Sequence, residues 1–310
     1  MRILSDPAAR DQDDMCIWIN PNQMSRSTVI TADKKAHTVF VYDLNGTTLQ
    51  TLPSDRPGNI DIRQNVQWNG TACDVVVWNE RGSGKIIVCV VNPTTRTLSR
   101  IDNGTLLASH AYGCALYHNP DTGTVYVFTT AKTGRIEQHA LRSSSTGTIT
   151  SVKVRSFVLA ACEAAVADDE QKLLFLSCEK EGIWKIGAEP HDSTPAVAID
   201  RIGHNGLCAD VEGITIYREQ GGGGYIIVSS QGNSRFNVYE RKPPHRFLGS
   251  FHIRGVRFTD GIDVTGGNFG DEFTDGLFAC HNGAAKERCP VVLVPWHAIA
   301  EALKLKKGGA

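Results

Sequence analysis

Acidic residues recur along this chain, each time at the head of an apolar alternation. They are Asp13 with Asp14, Asp61 behind Asn59, Glu163, Asp210 with Glu212, and Asp260 with Asp263, while Tyr112 holds the corresponding place in the one unit without an acid. One such acid is ordinarily a solvated turn residue, but the same placement in unit after unit calls for a common cause. If the heads converge, their carboxylates repel and raise one another's pKa unless cations neutralise them. All the donors are oxygens, and no His joins the set. Hard oxygen donors in a loose, multi-carboxylate site favour Ca²⁺ over Mg²⁺, and this many acids would hold several ions.

A second group carries the opposite charge. Lys34 and Lys35 follow the second apolar run of the first unit, Arg81 occupies the matching turn of the second, and Lys132 that of the third. Cations beside a calcium-loaded carboxylate cluster suit a multiply charged anion such as a phosphate ester. Metal would polarise the phosphorus–oxygen bonds and activate a water, while Lys and Arg bind the remaining oxygens. Other chemistries find no purchase. There is no P-loop and no G-x-G-x-x-G, and the glycines at 221–224 form a hairpin turn that opens no helix. Ser229-Ser230-Gln231-Gly232 is not a nucleophile elbow, and Cys162, although beside Glu163, has no His placed to activate it.

The elements that must position these groups are short strands. The stretch 209–236 shows the unit in full: Asp210 and Glu212, the alternation Ile214-Thr215-Ile216-Tyr217, a glycine turn, and a return on Tyr225 to Gln231. Five further units repeat it, with second strands starting near Thr28, Asp74, Thr124, Lys172, Gly224 and Gly276 at steps of roughly 50 residues. Four strands per unit and six units predict an all-β, six-bladed propeller over residues 1–310 as a single domain, with the first strand of each blade lining the central channel. A β-sandwich would not repeat so evenly. Ile3-Leu4 is expected to pair with the last blade and close the ring. HAIAEALKL after Trp296 predicts a short C-terminal helix, with a frayed tail at 306–310.

With 32 Lys+Arg against 33 Asp+Glu, the chain lacks the basic excess that nucleic acid or an anionic membrane requires of a bulk partner. No run is long and apolar enough for a transmembrane helix, and the first residues contain no apolar leader core. The nine cysteines, without a C-x-x-C pair, are expected to be buried free thiols of a reducing compartment. A monomer in the cytoplasm, or a chain already trimmed of a leader, is the corresponding expectation.

Together the runs DDMCIWINP, TADKKAHTVFVYDL, NIDIR, YGCALYH, EAAVADDE, GIWKIGAEP, DVEGITIY, SSQGNS with VYER, TDGIDV and VPWHAIA resemble the β-propeller phytases. This is the alkaline, calcium-dependent, usually secreted family that hydrolyses inositol hexakisphosphate. The resemblance implies that Asp13, Asp14, Glu163, Glu179, Asp210, Glu212 and Gln231 ligate the calcium cluster. Asp13, Glu163, Asp210 and Tyr112 would form the catalytic centre, and Lys34, Lys35, Arg81 and Lys132 would bind phosphate. It further implies direct attack by a metal-activated water, with a cleavage subsite and an adjacent phosphate-holding subsite. Two departures stand out. Gly58 replaces an Asn of the family pattern, and the loop before TDGID, from Arg254 to Phe258, is short and basic where the family has an acidic loop. Fewer calcium ions are therefore expected. The alternative is a catalytically weakened propeller that binds an anionic ligand or a partner protein. A calcium-dependent lactonase would want His among the rim groups, and only His110 lies near Tyr112.

Overall fold

The computed structural model describes residues 1–108, 111–144, 147–285 and 287–306, so His110 and the tail 307–310 lie outside the described residues. Six four-stranded antiparallel sheets make a six-bladed propeller. The inner strands are Gln12–Trp18, Pro57–Trp68, Gly113–His118, Cys162–Asp168, Val211–Arg218 and Ile262–Thr265. In blades one to five the strands follow in chain order. In blade six the outermost strand is the N-terminal Arg2–Leu4, which pairs with Val291–Pro295 in the register Arg2↔Leu293, Ile3↔Val292, Leu4↔Val291. This is the expected closure of the ring.

Alternation makes the blades stack. Residues facing a neighbouring blade are apolar, and a separate cluster fills each gap, such as Trp18, Ile30 and Val41 against Ile60, Val76 and Trp78 between blades one and two. The other gaps are filled in the same way. Each fully buried aliphatic or aromatic side chain contributes about 1.5–3 kcal/mol, so the gaps carry the stability and leave the channel free for polar groups. The strand limits shift most in blade two. The expected break between Val66 and Asp74 closes to a tight hairpin, because Asn69 and Gly70 both take positive φ (49° and 77°) and continue the ladder from Trp68 to Thr71.

The C-terminal helix, Trp296–Leu303, lies at the end of the ring opposite the strand heads. Trp296 stacks on Tyr217 with ring centroids 4.1 Å apart, and Ile299 and Ala300 are buried with it. Lys304, in the left-handed region, caps the helix by donating its N–H to the carbonyls of Ala300 and Glu301.

The expectation of free thiols fails at one place. Cys162 and Cys178 form a disulfide. They are direct cross-strand partners in blade four, a neighbour relation that a sequence separation of 16 conceals. Among the described residues the other cysteines are free.

Among the described residues, the most deeply buried ion pair joins Arg241 and Asp168. Arg241 donates from Nε and Nη2 to the two oxygens of Asp168, both at 2.6 Å, joining blades four and five, with side chains 1% and 0% exposed. Burial opposes ionisation of Asp168, but Arg241 outweighs it and holds the carboxyl below its ordinary range. Asp168→Ala leaves a buried guanidinium short of its partner and is expected to cost about 3–5 kcal/mol in denaturant unfolding. In the parent protein this contribution is complete above the ordinary carboxylate range and is lost as pH falls through the depressed pKa. A variant that unfolds at the parental midpoint would refute the assignment.

Candidate active site

The inner-strand heads are not regular. The pairing slips between Gln12 and Asp14, between Pro57 and Ile60, between Cys162 and Ala164, and between Val211 and Ile214. Each slip is a β-bulge, which frees a residue from the alternation and re-aims its side chain. The freed positions include Asp13, Asn59, Glu163 and Glu212, so four blades turn a polar group onto the rim. Glycines let the heads close on one another. Gly213 donates its N–H to the Asp260 carbonyl at 2.9 Å, and Gly261 to that of Asp13 at 2.8 Å. A Cβ at Gly261 would lie 2.1 Å from Asp14 Oδ1.

Two carboxylate groups result. In the first, oxygens of Asp11, Asp13 and Asp260 lie within 4.8 Å of one another. Lys34 reaches all three: it contacts Asp13 directly and lies 3.5 Å from Asp260 and 3.7 Å from Asp11. His281 stands behind them, with Nε2 3.2 Å from Asp11 Oδ1 and Nδ1 3.6 Å from Asp260 Oδ2. The expectation that no His joins the set is thereby corrected. His281 ends the second strand of blade six, Leu277–His281, and so lay outside a search of inner-strand heads. Asp11 carried a signal, as the first acid of the run Asp11-Gln12-Asp13-Asp14.

In the second group Glu163 is the hub. Tyr112 donates its hydroxyl to Glu163 Oε2 at 2.5 Å, and Arg81 donates Nη2 to Oε1 at 2.6 Å. The same Nη2 lies 3.6 Å from Asp13 Oδ2, so Arg81 spans the two groups. Arg81 and Lys132 both lie over the Tyr112 ring, 4.8 and 4.5 Å from its centroid. Glu212 is buried beside Glu163, and Glu179 is close enough to act electrostatically on Tyr112 and Glu212. The disulfide ties together the residues immediately before Glu163 and Glu179.

Other members take separate positions. Asp14 turns into the channel, where its Oδ2 accepts the Ile60 N–H at 3.0 Å, alongside Asp61 and Asp263. Asp61 accepts from Leu116 N–H at 2.7 Å and Asp263 from Ile17 N–H at 2.9 Å. These three acids therefore stitch one inner strand to the next. Asp210 contacts the exposed Lys180, and Gln231 contacts Asp260 through its side-chain amide. Lys35 is 60% exposed and pairs with Asp11 at 3.0 Å.

Crowding shows in the electrostatics. Burial, then Glu163 and Asp260, push Glu212 up to about 10, and burial, then Asp13, push Asp260 up to about 7. Burial works the same way on Asp13, but Lys34 and Arg81 outweigh it and hold that carboxyl low. Two oxygens ligating one Ca²⁺ at about 2.3–2.6 Å each lie at most about 5 Å apart, so Asp11, Asp13 and Asp260 fit one ion as they stand. The donor set is hard and anionic, as calcium requires.

The phytase family model matches residues 4–307. A 3-phytase of Bacillus subtilis (strain 168) is 34% identical over 320 residues, which span 96% of this chain and 84% of that protein. Among solved structures, the hydrazine synthase of Kuenenia stuttgartiensis superposes with a TM-score of 0.53 at 10% identity, covering 90% of this chain and 82% of that one, a likeness of fold alone. A family match across nearly the whole propeller, together with a 34% identical relative, shows that this chain belongs to the phytase family.

Proposed function

We propose that this phosphoric monoester hydrolase cleaves phytate or a related polyphosphate ester, using calcium held at the strand heads. What supports the reading best is the placement of Arg81 and Lys34. Each is a cation inside a carboxylate cluster: Arg81 spans Glu163 and Asp13, and Lys34 sits among Asp13, Asp260 and Asp11. Asp11, Asp13 and Asp260 would hold one ion, and Glu163, Glu179, Glu212, Asp210 and Gln231 lie where they could hold others, directly or through water. Bound there, calcium would neutralise the acids, polarise the phosphoryl group and make the attacking water more acidic.

The chain's own residues do the rest. Arg81 offers a planar fork that matches two phosphate oxygens, and its stacking on Tyr112 holds it in the rim. Lys34 binds as a point charge between blades one and six. Lys132 and Lys35, both exposed, reach the phosphate from outside the cluster. Tyr112 keeps Glu163 oriented through its short hydrogen bond. With the rim carboxylates engaged by metal and by Lys34 and Arg81, attack on phosphorus would fall to water directly, without a phosphoenzyme.

Purified protein should release inorganic phosphate from phytate when Ca²⁺ is present and lose that activity in excess chelator. No release at any calcium concentration by folded protein would sink the proposal. Calcium and phytate binding without turnover would favour the weakened, ligand-binding propeller.

Glu163→Ala removes the hub of the second group, and Asp210→Ala a peripheral oxygen donor. Each is expected to lower kcat by about 10²-fold or more, with circular dichroism showing retained fold. Full activity in both variants would mean that the chemistry lies elsewhere.

A further inference from the structure

His281 stands where the two sides of the seam between blades one and six meet, with its side chain 3% exposed. Its backbone is fixed by pairing with Val291 and by its N–H, which donates to the Gly261 carbonyl at 3.0 Å. The ring faces two acids that arrive from different blades. On one side Nδ1 accepts the backbone N–H of Asp260 at 3.1 Å. On the other, Nε2 lies 3.2 Å from Oδ1 of Asp11, a buried residue whose own N–H donates to Asp33 Oδ2 at 2.9 Å.

The same atoms allow a second reading. Asp11, His281 and Cys289 bring an oxygen, a nitrogen and a sulfur within 4.8 Å of one another, a donor set that suits a thiophilic metal such as zinc. The hydrogen bonding argues against it. An imidazole nitrogen ligates through its lone pair, and which nitrogen keeps the proton is set by the bond the other one makes. Nδ1 already commits its lone pair to the Asp260 N–H, so the neutral ring carries its proton on Nε2. A charged ring is protonated there as well. In either state Nε2 offers a proton and no lone pair. The Cys289 thiol, for its part, donates to the Ala285 carbonyl at 3.1 Å.

A donor at this place acts on Asp11 instead. It faces Oδ1, while Oδ2 points toward Lys35 and Lys34, 3.0 and 3.7 Å away, and Lys34 is the cation that also reaches Asp13 and Asp260. Nε2 is not in line for a hydrogen bond to any acceptor, so a turn of the Asp11 carboxylate toward it is favourable. The loop leading into Asp260, from Arg254 to Phe258, has no acid of its own. The carboxylate that completes the trio therefore comes from Asp11, across the seam.

We propose that His281 is a positioning residue of the rim: it holds Asp11 and Asp260, contributed by opposite sides of the seam, at the separation at which they and Asp13 share one calcium ion. The proposal rests on the reading of these three acids as a calcium site. It adds that the site is set by an imidazole that touches neither the ion nor the substrate.

The test is calcium calorimetry on the parent, His281→Leu and His281→Gln, with thermal midpoints and with phytate turnover followed across calcium concentration. Leucine fills the space of the ring without donor or acceptor, whereas glutamine can reach Asp11 with an amide N–H. Removing the hydrogen-bonding partner behind a metal ligand typically weakens metal binding about 10–100-fold. His281→Leu should lose roughly that much affinity at one calcium site, with kcat restored at saturating calcium, and His281→Gln should recover most of the loss. Parental calcium affinity in His281→Leu overturns the proposal. So does a loss that glutamine does not recover, or a kcat that saturating calcium fails to restore, since either makes the ring a packing element. Where His281→Leu does not fold, His281→Asn takes its place, because its oxygen can accept the Asp260 N–H while the side chain falls short of Asp11: weaker calcium binding supports the proposal and parental binding overturns it. A parent that binds no calcium overturns the reading of the rim together with this proposal, whereas equal binding by parent and variants removes this proposal alone.

Discussion

The seam between the first and last blades is the constraint on which the site depends. The outer edge of blade six is completed by three N-terminal residues, Arg2–Leu4, and Arg2 reinforces the joint with a 2.6 Å ion pair to Glu272 and a 3.0 Å hydrogen bond to the Leu44 carbonyl of blade one. At the head end the same seam is crossed by backbone: Gln12 N–H donates to the Cys289 carbonyl and Cys289 N–H to that of Arg10. Asp11 and Asp13 come from one side, Asp260 and His281 from the other. This group, the one trio of carboxylates among the described residues whose oxygens all lie within 4.8 Å of one another, therefore exists only while the ring is shut. Spreading the seam by an ångström would separate its oxygens beyond what one ion can bridge.

Such a rim works against folding. Glu212 and Asp260 are raised by burial and by neighbouring acids, so bringing these groups together costs free energy that other parts of the ring must offset. The apolar gaps between blades supply it, and the rim's own cations reduce the cost locally. Lys34 and Arg81 face carboxylates rather than solvent, and both have their charged forms favoured by those acids in spite of burial. The arrangement is poised: the cations that quiet the acids are the ones a phosphate would recruit, and calcium could take over their task.

Much of this was legible in the sequence. Unit length and alternation predicted six blades, closure by Ile3-Leu4 and the terminal helix, because each rests on local periodicity. The convergence of Asp13, Glu163 and Glu212 followed from blade geometry. What periodicity cannot show is a bulge. Asp13 and Asp14 read as one acidic pair, yet the slip at Gln12–Asp14 sends the first to the rim and the second to the Ile60 N–H. His281 was invisible for another reason, since its strand is a second strand and its partners are 270 and 21 residues away. The facing of Cys162 and Cys178 needed the cross-strand register, which the spacing alone does not contain.

Gly58 illustrates how a residue's meaning changes once its space is known. Against the family pattern it counts as a missing oxygen donor. In the structure, a Cβ at this position would lie 2.6 Å from Arg81 Nε and 2.9 Å from the amide of the buried Asn79. The space is already filled by the guanidinium that reaches Glu163, Asp13 and the Tyr112 carbonyl. A larger residue at 58 would have to push Arg81 aside and loosen the one side chain that spans both carboxylate groups. At this position the chain has given up a neutral donor and gained the room in which Arg81 is seated.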